Sequence, residues 1–155
     1  MTLETTRRNL LAGSGALALG FNLMGDGFAQ QAAAPALPGD LKQHPKVSSW
    51  LRIEGDGRVR LLVGKVELGQ GILTALAQLC ADELDIDIKR LDITSGDTQI
   101  VPDEGVTAGS FSMPNCGSAV RQVSAEARQI LVSLAAAKLG ADAATLTVAD
   151  GTVKA

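Results

Sequence analysis

Two long stretches of the chain carry apolar residues at the spacing of an α-helix. Residues 70–84 and 117–139 each place apolar side chains three or four positions apart, with polar residues between them. The first stripe consists of Leu73, Leu76, Ala77, Cys80 and Leu84, and the second of Val120, Val123, Ala127, Ile130, Leu131 and Leu134. Gly140 follows the second stretch and is expected to end it. The pattern predicts two amphipathic helices that pack against a sheet.

Shorter runs that alternate polar and apolar residues predict the strands. They cover residues 50–53, 58–63, 91–94, 145–148 and 152–154. The turn signal Asp56-Gly57 separates the first two runs and Asp150-Gly151 the last two, so each pair predicts a hairpin. The order β, β, α, β, α, β, β is typical of an α+β fold. We therefore expect a single lobe with a mixed sheet packed by two main helices.

The first 29 residues have the composition of an export signal. Arg7 and Arg8 precede a mildly apolar run rich in Gly and Ala, and small residues near Ala29 suit a cleavage site. Paired arginines in this position resemble a twin-arginine signal, with an ordinary secretory signal or an uncleaved anchor as the alternative. We expect residues 1–29 to direct the protein to the periplasm, and association with the inner membrane is left open.

Residues 30–46 are rich in Ala, Gln and Pro and show too little apolar periodicity to pack. They are predicted to form a linker, so that the folded part starts near Val47 and covers residues 47–155. His44, the one histidine of the chain, lies in this linker. A metal or acid–base site built on histidine is therefore not expected within this chain.

The composition favours one packed domain and argues against two other classes of protein. The 155 residues are 46% hydrophobic, which is enough for one packed domain. The net charge of −3 and the aromatic content of 3% argue against nucleic-acid binding. Cys80 and Cys116 lack the spacing of a disulfide framework, and we expect two free, packed thiols.

Two loops are the candidates for ligand binding. The first loop, residues 64–71, ends in Gly69-Gln70-Gly71 between a predicted strand and a predicted helix, so backbone N–H groups can approach a ligand closely. The partly positive helix end favours an anionic group, such as a phosphate, at the same place. The second loop, residues 105–113, adds hydroxyl groups without adding charge. A tight turn without a ligand, and a capping role for Thr107, Ser110 and Ser112, are the alternatives.

Two other patterns give weaker evidence of a functional site. A dinucleotide-binding fingerprint would need glycine where Thr74 stands and an acid at a strand end, whereas Asp92 falls inside a predicted strand. Five acidic residues could form a carboxylate pair or a metal site, but a solvated surface explains them better. They are Glu67, Asp82, Glu83, Asp85 and Asp87.

Several motifs in order resemble the large subunit of molybdenum hydroxylases. The matching segments are residues 63–71, 95–98, 102–105 and 107–110. The similarity is to the xanthine dehydrogenase and aldehyde oxidase superfamily, in particular to its exported isoquinoline, nicotinate and aldehyde dehydrogenase type. This similarity extends over only the N-terminal part of the large subunit of that family.

The resemblance implies that the two loops hold a molybdopterin, in bacteria commonly its cytosine dinucleotide form, whose dithiolene ligates molybdenum. The implied cofactor-binding residues are Gly69, Gln70, Gly71, Thr107, Ser110 and Ser112, with Gly109 close to the metal. The implied reaction is hydroxylation of an aldehyde or N-heterocycle with water. The family's catalytic glutamate lies in a C-terminal region without a counterpart here, so neither Glu67 nor Glu104 is assigned that role.

The resemblance also implies partners. Electrons would leave through an iron–sulfur subunit, a cytochrome c subunit is a further candidate, and iron–sulfur clusters and haem would lie only on those partners. The remainder of the large subunit would have to come from another chain. We expect residues 47–155 to be a partial molybdopterin-binding domain that is inactive alone. A stand-alone binding module or an inactive remnant is the alternative.

Overall fold

The computed structural model describes residues 37–154, and the predicted export signal lies outside them. Strands β1 (Leu51–Ile53), β2 (Val59–Val63) and β3 (Leu91–Ser95) form one sheet, and β4 (Thr147–Ala149) and β5 (Thr152–Lys154) form a separate hairpin. The two main helices are α1 (Ile72–Leu84) and α2 (Ser118–Leu139). The predicted α+β class, with a mixed sheet and two main helices, is confirmed.

Strand β2 lies at the centre of the three-stranded sheet. It pairs antiparallel with β1, where Leu61 faces Leu51, and parallel with β3, where Leu61 faces Ile93. Helix α1 connects the two parallel strands, as a parallel pair requires. Leu61, Leu62 and Val63 are all buried, so both faces of β2 are covered.

The core forms where the two helices meet the sheet. Leu76 and Cys80 of α1 and Val120 and Val123 of α2 are buried together with the apolar residues of β2. The hydroxyl of Ser124 lies 3.4 Å from the sulfur of Cys80 at the contact between the helices. Burying apolar surface in this way is the main stabilising contribution to a fold of this size.

Only the first half of α2 is buried as its apolar stripe predicted. Val120, Val123 and Ala127 are in the core, but Ile130, Leu131 and Leu134 are 47%, 41% and 63% exposed. The periodicity identified the apolar face correctly. It could not show that the described elements cover the second half of that face only in part, with Ala136 buried and these three side chains left exposed.

The predicted linker contains a packed segment, which corrects the expected start of the folded part. Residues Gly39–Lys42 form a 3-10 turn, and Leu41 is 2% exposed within the main core. His44 Nε2 lies 3.1 Å from the carbonyl oxygen of Asp103. Within the described residues, packing is therefore present from Gly39 rather than from Val47, and the sequence missed it because a single buried leucine gives no periodic signal.

Both cysteines are free and buried, as predicted. Burial raises the pKa of the Cys80 thiol to about 11. Within residues 37–154 the helices are too short or too polar to cross a bilayer.

Candidate functional site

The two candidate loops meet in one cleft at the N-terminal end of α1. The cleft has a volume of about 530 Å³. Its lining consists of Leu68, Gln70, Gly71, Ile72, Ala75, Thr107, Ala108, Gly109, Ser110, Ser112 and Met113. The two loops, which the resemblance implies hold one cofactor, therefore lie together in the structure. Of the seven predicted binding residues, all but Gly69 line the cleft, and their role in binding stays a prediction.

The positive end of α1 is already occupied by a side chain of the first loop. The Glu67 carboxylate accepts hydrogen bonds from the backbone N–H groups of Gly69 and Gly71, both at 2.8 Å, and of Leu73 at 3.3 Å. These bonds, led by the one from Gly71, lower the pKa of Glu67. The expectation that a ligand phosphate would use these donors is thus corrected, because an internal anion already uses them.

The Gln70 side chain closes the first loop on itself. Its Nε2 donates to the carbonyl of Val66 at 3.1 Å, and its Oε1 accepts from the N–H of Leu68. An amide has two N–H bonds and two acceptor lone pairs, so one of each is left for a ligand. Gln70 therefore shapes the loop and still contributes to the lining of the cleft.

The second loop presents its donors through a tight turn. The N–H of Phe111 donates to the carbonyl of Ala108, and the two central residues, Gly109 and Ser110, have φ values of 61° and 59°. A Cβ on Gly109 would lie 2.9 Å from the Phe111 ring. Ser110 and Ser112 line the cleft, and Ser110 is exposed. The turn thus places polar groups beside the cleft.

Three consecutive residues after β2 hold the second loop in place. Gly64 N–H donates to the carboxyl of Glu104, the ammonium of Lys65 donates to the carbonyls of Glu104 and Val106, and Val66 N–H donates to the hydroxyl of Thr107. Lys65 is only 2% exposed. We call these contacts the loop clamp. Thr107 is therefore an anchor of the second loop, with its hydroxyl engaged inside the protein.

Glu104, which directly precedes the second loop, is a buried carboxyl. It is 7% exposed and lies beside Asp40, Cys116 and the N–H of Gly64. Burial and the neighbouring Asp40 raise the pKa of Glu104 to about 7. Burial and the adjacent Glu104 raise the pKa of the Cys116 thiol as well. No pattern in the sequence marks Glu104 as buried, because it stands in a polar stretch without periodicity.

Three other acidic candidates have partners within the protein. Arg58 forms a bidentate ion pair with Asp92, with contacts of 2.7 and 3.0 Å, so Asp92 is not free to bind a ribose. Glu83 pairs with Arg121 at 2.7 Å, and Asp87 accepts a hydrogen bond from the N–H of Lys89. Within residues 37–154, no group of three or more His, Cys, Asp or Glu residues is placed to hold a metal ion.

Comparison with known families adds to this geometry. Residues 12–155 match the family described as the molybdopterin cofactor-binding domain. The chain is 35% identical over 108 residues to a nicotinate dehydrogenase component of Pseudomonas putida, which covers 70% of this chain and 9% of the relative. Over 165 aligned positions it is 28% identical to the beta component of isoquinoline 1-oxidoreductase of Brevundimonas diminuta, covering 98% of this chain and 20% of the relative.

A solved structure shares the fold. Reconstituted CO dehydrogenase from Oligotropha carboxidovorans superimposes with a TM-score of 0.60 at 31% identity, over 65% of this chain and 12% of that chain. The chain therefore spans one fifth or less of the length of these relatives.

Proposed function

Because the chain belongs to the molybdopterin cofactor-binding domain family, we propose that its two loops hold one side of a molybdopterin that carries molybdenum. The convergence of Gln70-Gly71 and residues 107–112 on a single cleft is the observation that carries this proposal. Binding sites for cofactors are typically clefts with a few converging polar groups.

The residues of the cleft fit this group. Its lining contains no charged side chain. A molybdopterin brings a negative phosphate and a dithiolene that holds the metal, so it needs neutral hydrogen-bond partners rather than protein ligands to molybdenum. The hydroxyls of Ser110 and Ser112 and the remaining N–H of Gln70 are such partners. Gly71 and Gly109 add no side chain and allow the backbone to approach the pterin closely.

The bound cofactor would supply the oxidation chemistry, and this chain would supply its placement. Glu67 and Gln70 fix the first loop, and the loop clamp fixes the second at the opposite wall of the cleft. Such fixed donors orient a cofactor without reorganisation when it binds. The family's catalytic base has no counterpart among the residues of this cleft, so we propose no proton transfer by this chain.

For the whole enzyme we propose hydroxylation of an aldehyde or N-heterocycle, with water as the oxygen source and electrons passed to an iron–sulfur partner. The names of the relatives, nicotinate dehydrogenase and isoquinoline 1-oxidoreductase, support the substrate class. We also propose the cytosine dinucleotide form of the cofactor, a periplasmic location, and assembly with the remainder of the large subunit. A cytochrome c subunit is the further proposed partner.

The cleft requires that remainder. Three apolar side chains beside it, Leu68, Val106 and Phe111, are 69%, 80% and 60% exposed. A cofactor held from one side only would keep much of its surface in water, which weakens binding. Exposed apolar patches of this kind mark surfaces that another polypeptide covers.

The test is molybdenum analysis of the purified chain, alone and co-expressed with the remainder of the large subunit. We expect molybdenum and turnover with an artificial electron acceptor only in the second case. Molybdenum in the chain alone would contradict the requirement for a remainder. Its absence even from the co-expressed pair would favour an inactive remnant.

A matched pair of glycine variants shows whether the cleft itself is used. Gly109→Ala places a methyl group against Phe111 at the cleft, whereas Gly105→Ala has a similar φ of 64° and open space around its Cβ. Each alanine costs about 1–2 kcal/mol in this left-handed conformation. Because both variants carry this same backbone cost, we expect the co-expressed protein to lose more molybdenum with Gly109→Ala than with Gly105→Ala. Equal losses would argue against the cleft.

A further inference from the structure

A buried polar cluster joins the first described turn to the segment that carries the second loop. Asp40 lies in the 3-10 turn Gly39–Lys42, and Glu104 lies directly before the second loop. The turn is pressed against the helical turn Ser112–Gly117, since a Cβ on Gly39 would be 2.1 Å from the carbonyl oxygen of Asn115. The cluster therefore bridges two segments that are distant in sequence.

Each of the two carboxyl groups keeps one buried oxygen without a donor. These are Oδ2 of Asp40 and Oε1 of Glu104. The other oxygen of Glu104 accepts from the N–H of Gly64. The Glu104 carboxyl lies within hydrogen-bonding reach of Asp40. Two carboxylates this close repel each other, and each unpartnered buried oxygen is unfavourable. A single proton between the two groups removes the repulsion and joins them by a hydrogen bond.

We propose that Asp40 and Glu104 form a buried carboxyl pair that shares one proton and acts as a positioning device for the second loop. The pair ties Glu104 to the turn at residues 39–42. The Lys65 ammonium donates hydrogen bonds to the carbonyls of Glu104 and Val106. The carboxyl pair is therefore connected to the loop clamp, which holds the second loop at the cleft.

The surrounding groups assign the proton to Glu104. The charged and titratable neighbours are Asp40 on the 3-10 turn, Cys116 on the turn before α2, and Lys65 after β2. His44 contacts the carbonyl of Asp103 rather than the pair. Burial and Asp40 raise the pKa of Glu104 to about 7, so its proton is present at mildly acidic pH.

The sign of the pH dependence follows from this shift. Above the ordinary glutamate pKa of 4.5 the unfolded chain has released the Glu104 proton, while the folded chain keeps it up to about pH 7. The contribution of the pair to stability is therefore complete below about pH 4.5 and is lost as the pH rises through about 7. Ionisation then places two negative charges together and loosens the second loop.

The first experiment measures urea unfolding of the full chain between pH 5 and 8. Glu104→Gln keeps an acceptor for Gly64 and a donor for Asp40, so it should fold and lose the part of the pH dependence that belongs to Glu104. Glu126→Gln, on the exposed face of α2, is the matched control and should retain it. Asp40→Asn should move the loss of stability to lower pH, because it replaces a negative neighbour with a donor. An unchanged pH profile in both Glu104→Gln and Asp40→Asn would overturn the proposal.

The second experiment reports the position of the loop itself. Phe111 is 60% exposed and offers chymotrypsin a cleavage site in the second loop. We expect Glu104→Ala to speed cleavage after Phe111 by about tenfold, since a buried N–H and Asp40 lose their partner. At pH 6, chymotrypsin should cleave the Glu104→Gln variant at the same rate as the Glu126→Gln control. At pH 8 it should cleave Glu104→Gln more slowly than the wild type. Equal cleavage in Glu104→Ala and Glu126→Gln would contradict a positioning role.

The inference rests on the proposed function only for its consequence at the cofactor. Both experiments use the chain without a cofactor, so their outcomes do not depend on molybdenum binding. If the pair is confirmed and the co-expressed protein still lacks molybdenum, the proposed function fails and the carboxyl pair remains.

Discussion

The side chains that shape the cleft act mainly on the backbone of their own loops. Glu67 binds three N–H groups at the start of α1, and Gln70 binds the backbone of Val66 and Leu68. Gly71 is the N-cap residue of α1 and has no side chain to accept a hydrogen bond, so the Glu67 carboxylate takes over this capping role. The glycines give the loop its conformational freedom, and Glu67 selects one conformation from it.

Replacing Glu67 by glutamine should weaken α1 at its N-terminus. A neutral amide accepts fewer and weaker hydrogen bonds and loses the favourable interaction with the helix dipole. Because the folded-state pKa of Glu67 is lowered, its contribution is present at neutral pH and is lost as the pH falls below about 4.5. We expect Glu67→Gln to be less stable than the wild type at pH 7, with a difference that shrinks towards pH 3 in thermal unfolding followed by circular dichroism.

A control for this change is Glu54→Gln, whose one ionic contact within residues 37–154 is a 3.9 Å pair with Arg60 on the surface. Such exposed pairs contribute little. A pH-independent difference between wild type and Glu67→Gln would show that the charge on Glu67 is not what holds the loop.

At this scale the sequence predicted the residues of the cleft better than the partners of its charged groups. Gly71, Gly109 and Ser110 stand out because their residue types suit turns and close approach. Glu67 and Glu104 do not, since an acidic residue in a loop is usually solvated. Only the fold shows that one caps α1 and that the other is buried beside Asp40.

At the scale of elements, α2 is well buried in its first half and only partly covered in its second. The half near the sheet carries Val120 and Val123, and the distal half carries Leu134 at 63% exposure. A helical stripe extending beyond its sheet is expected where another polypeptide completes the packing.

The two kinds of leucine should respond very differently to truncation. Leu76→Ala removes a fully buried side chain of α1 and should lower the free energy of unfolding by about 2–5 kcal/mol. Leu134→Ala should change it by no more than about 0.5 kcal/mol. Urea denaturation of the purified chain measures both, and a large loss in Leu134→Ala would mean that this face is covered within the chain.

Helical and strand periodicity predicted nearly every element, with boundaries shifted by one or two residues. Helix α1 begins at Ile72 rather than at residue 70 because Gly71 has a φ of 77°. The turn Ser112–Gly117, which is a π-helix, had no signal in the sequence. It packs against residues 39–42, and periodicity along the chain does not report a contact between segments this far apart.

At the scale of the whole molecule, the family could be predicted and the assembly could not. Linked motifs in fixed order pointed to the molybdenum hydroxylases, and the match to the molybdopterin cofactor-binding domain over residues 12–155 confirms that resemblance. The chain still spans one fifth or less of the relatives compared.

The proposed export route is tested with a reporter fused to residues 1–36. Replacing Arg7 and Arg8 by lysine should block export if the signal is of the twin-arginine type, because that type depends on the arginines themselves. An ordinary secretory signal needs only positive charge and would export the lysine variant as well as the wild type. Localisation of the reporter by cell fractionation separates the two.

The loop clamp also has a consequence for the order in which the cleft forms. The hydrogen bonds that shape the first loop span two to six residues, whereas those of the clamp join residues 39 to 41 positions apart. Short-range contacts close in the early steps of folding, and distant ones must first overcome the entropy of a long loop. The first loop and α1 should thus be ordered before the second loop is fastened. During folding there is then an interval in which one wall of the cleft is ordered while the other can still move, so the second loop would be fastened around whatever already lies on the first.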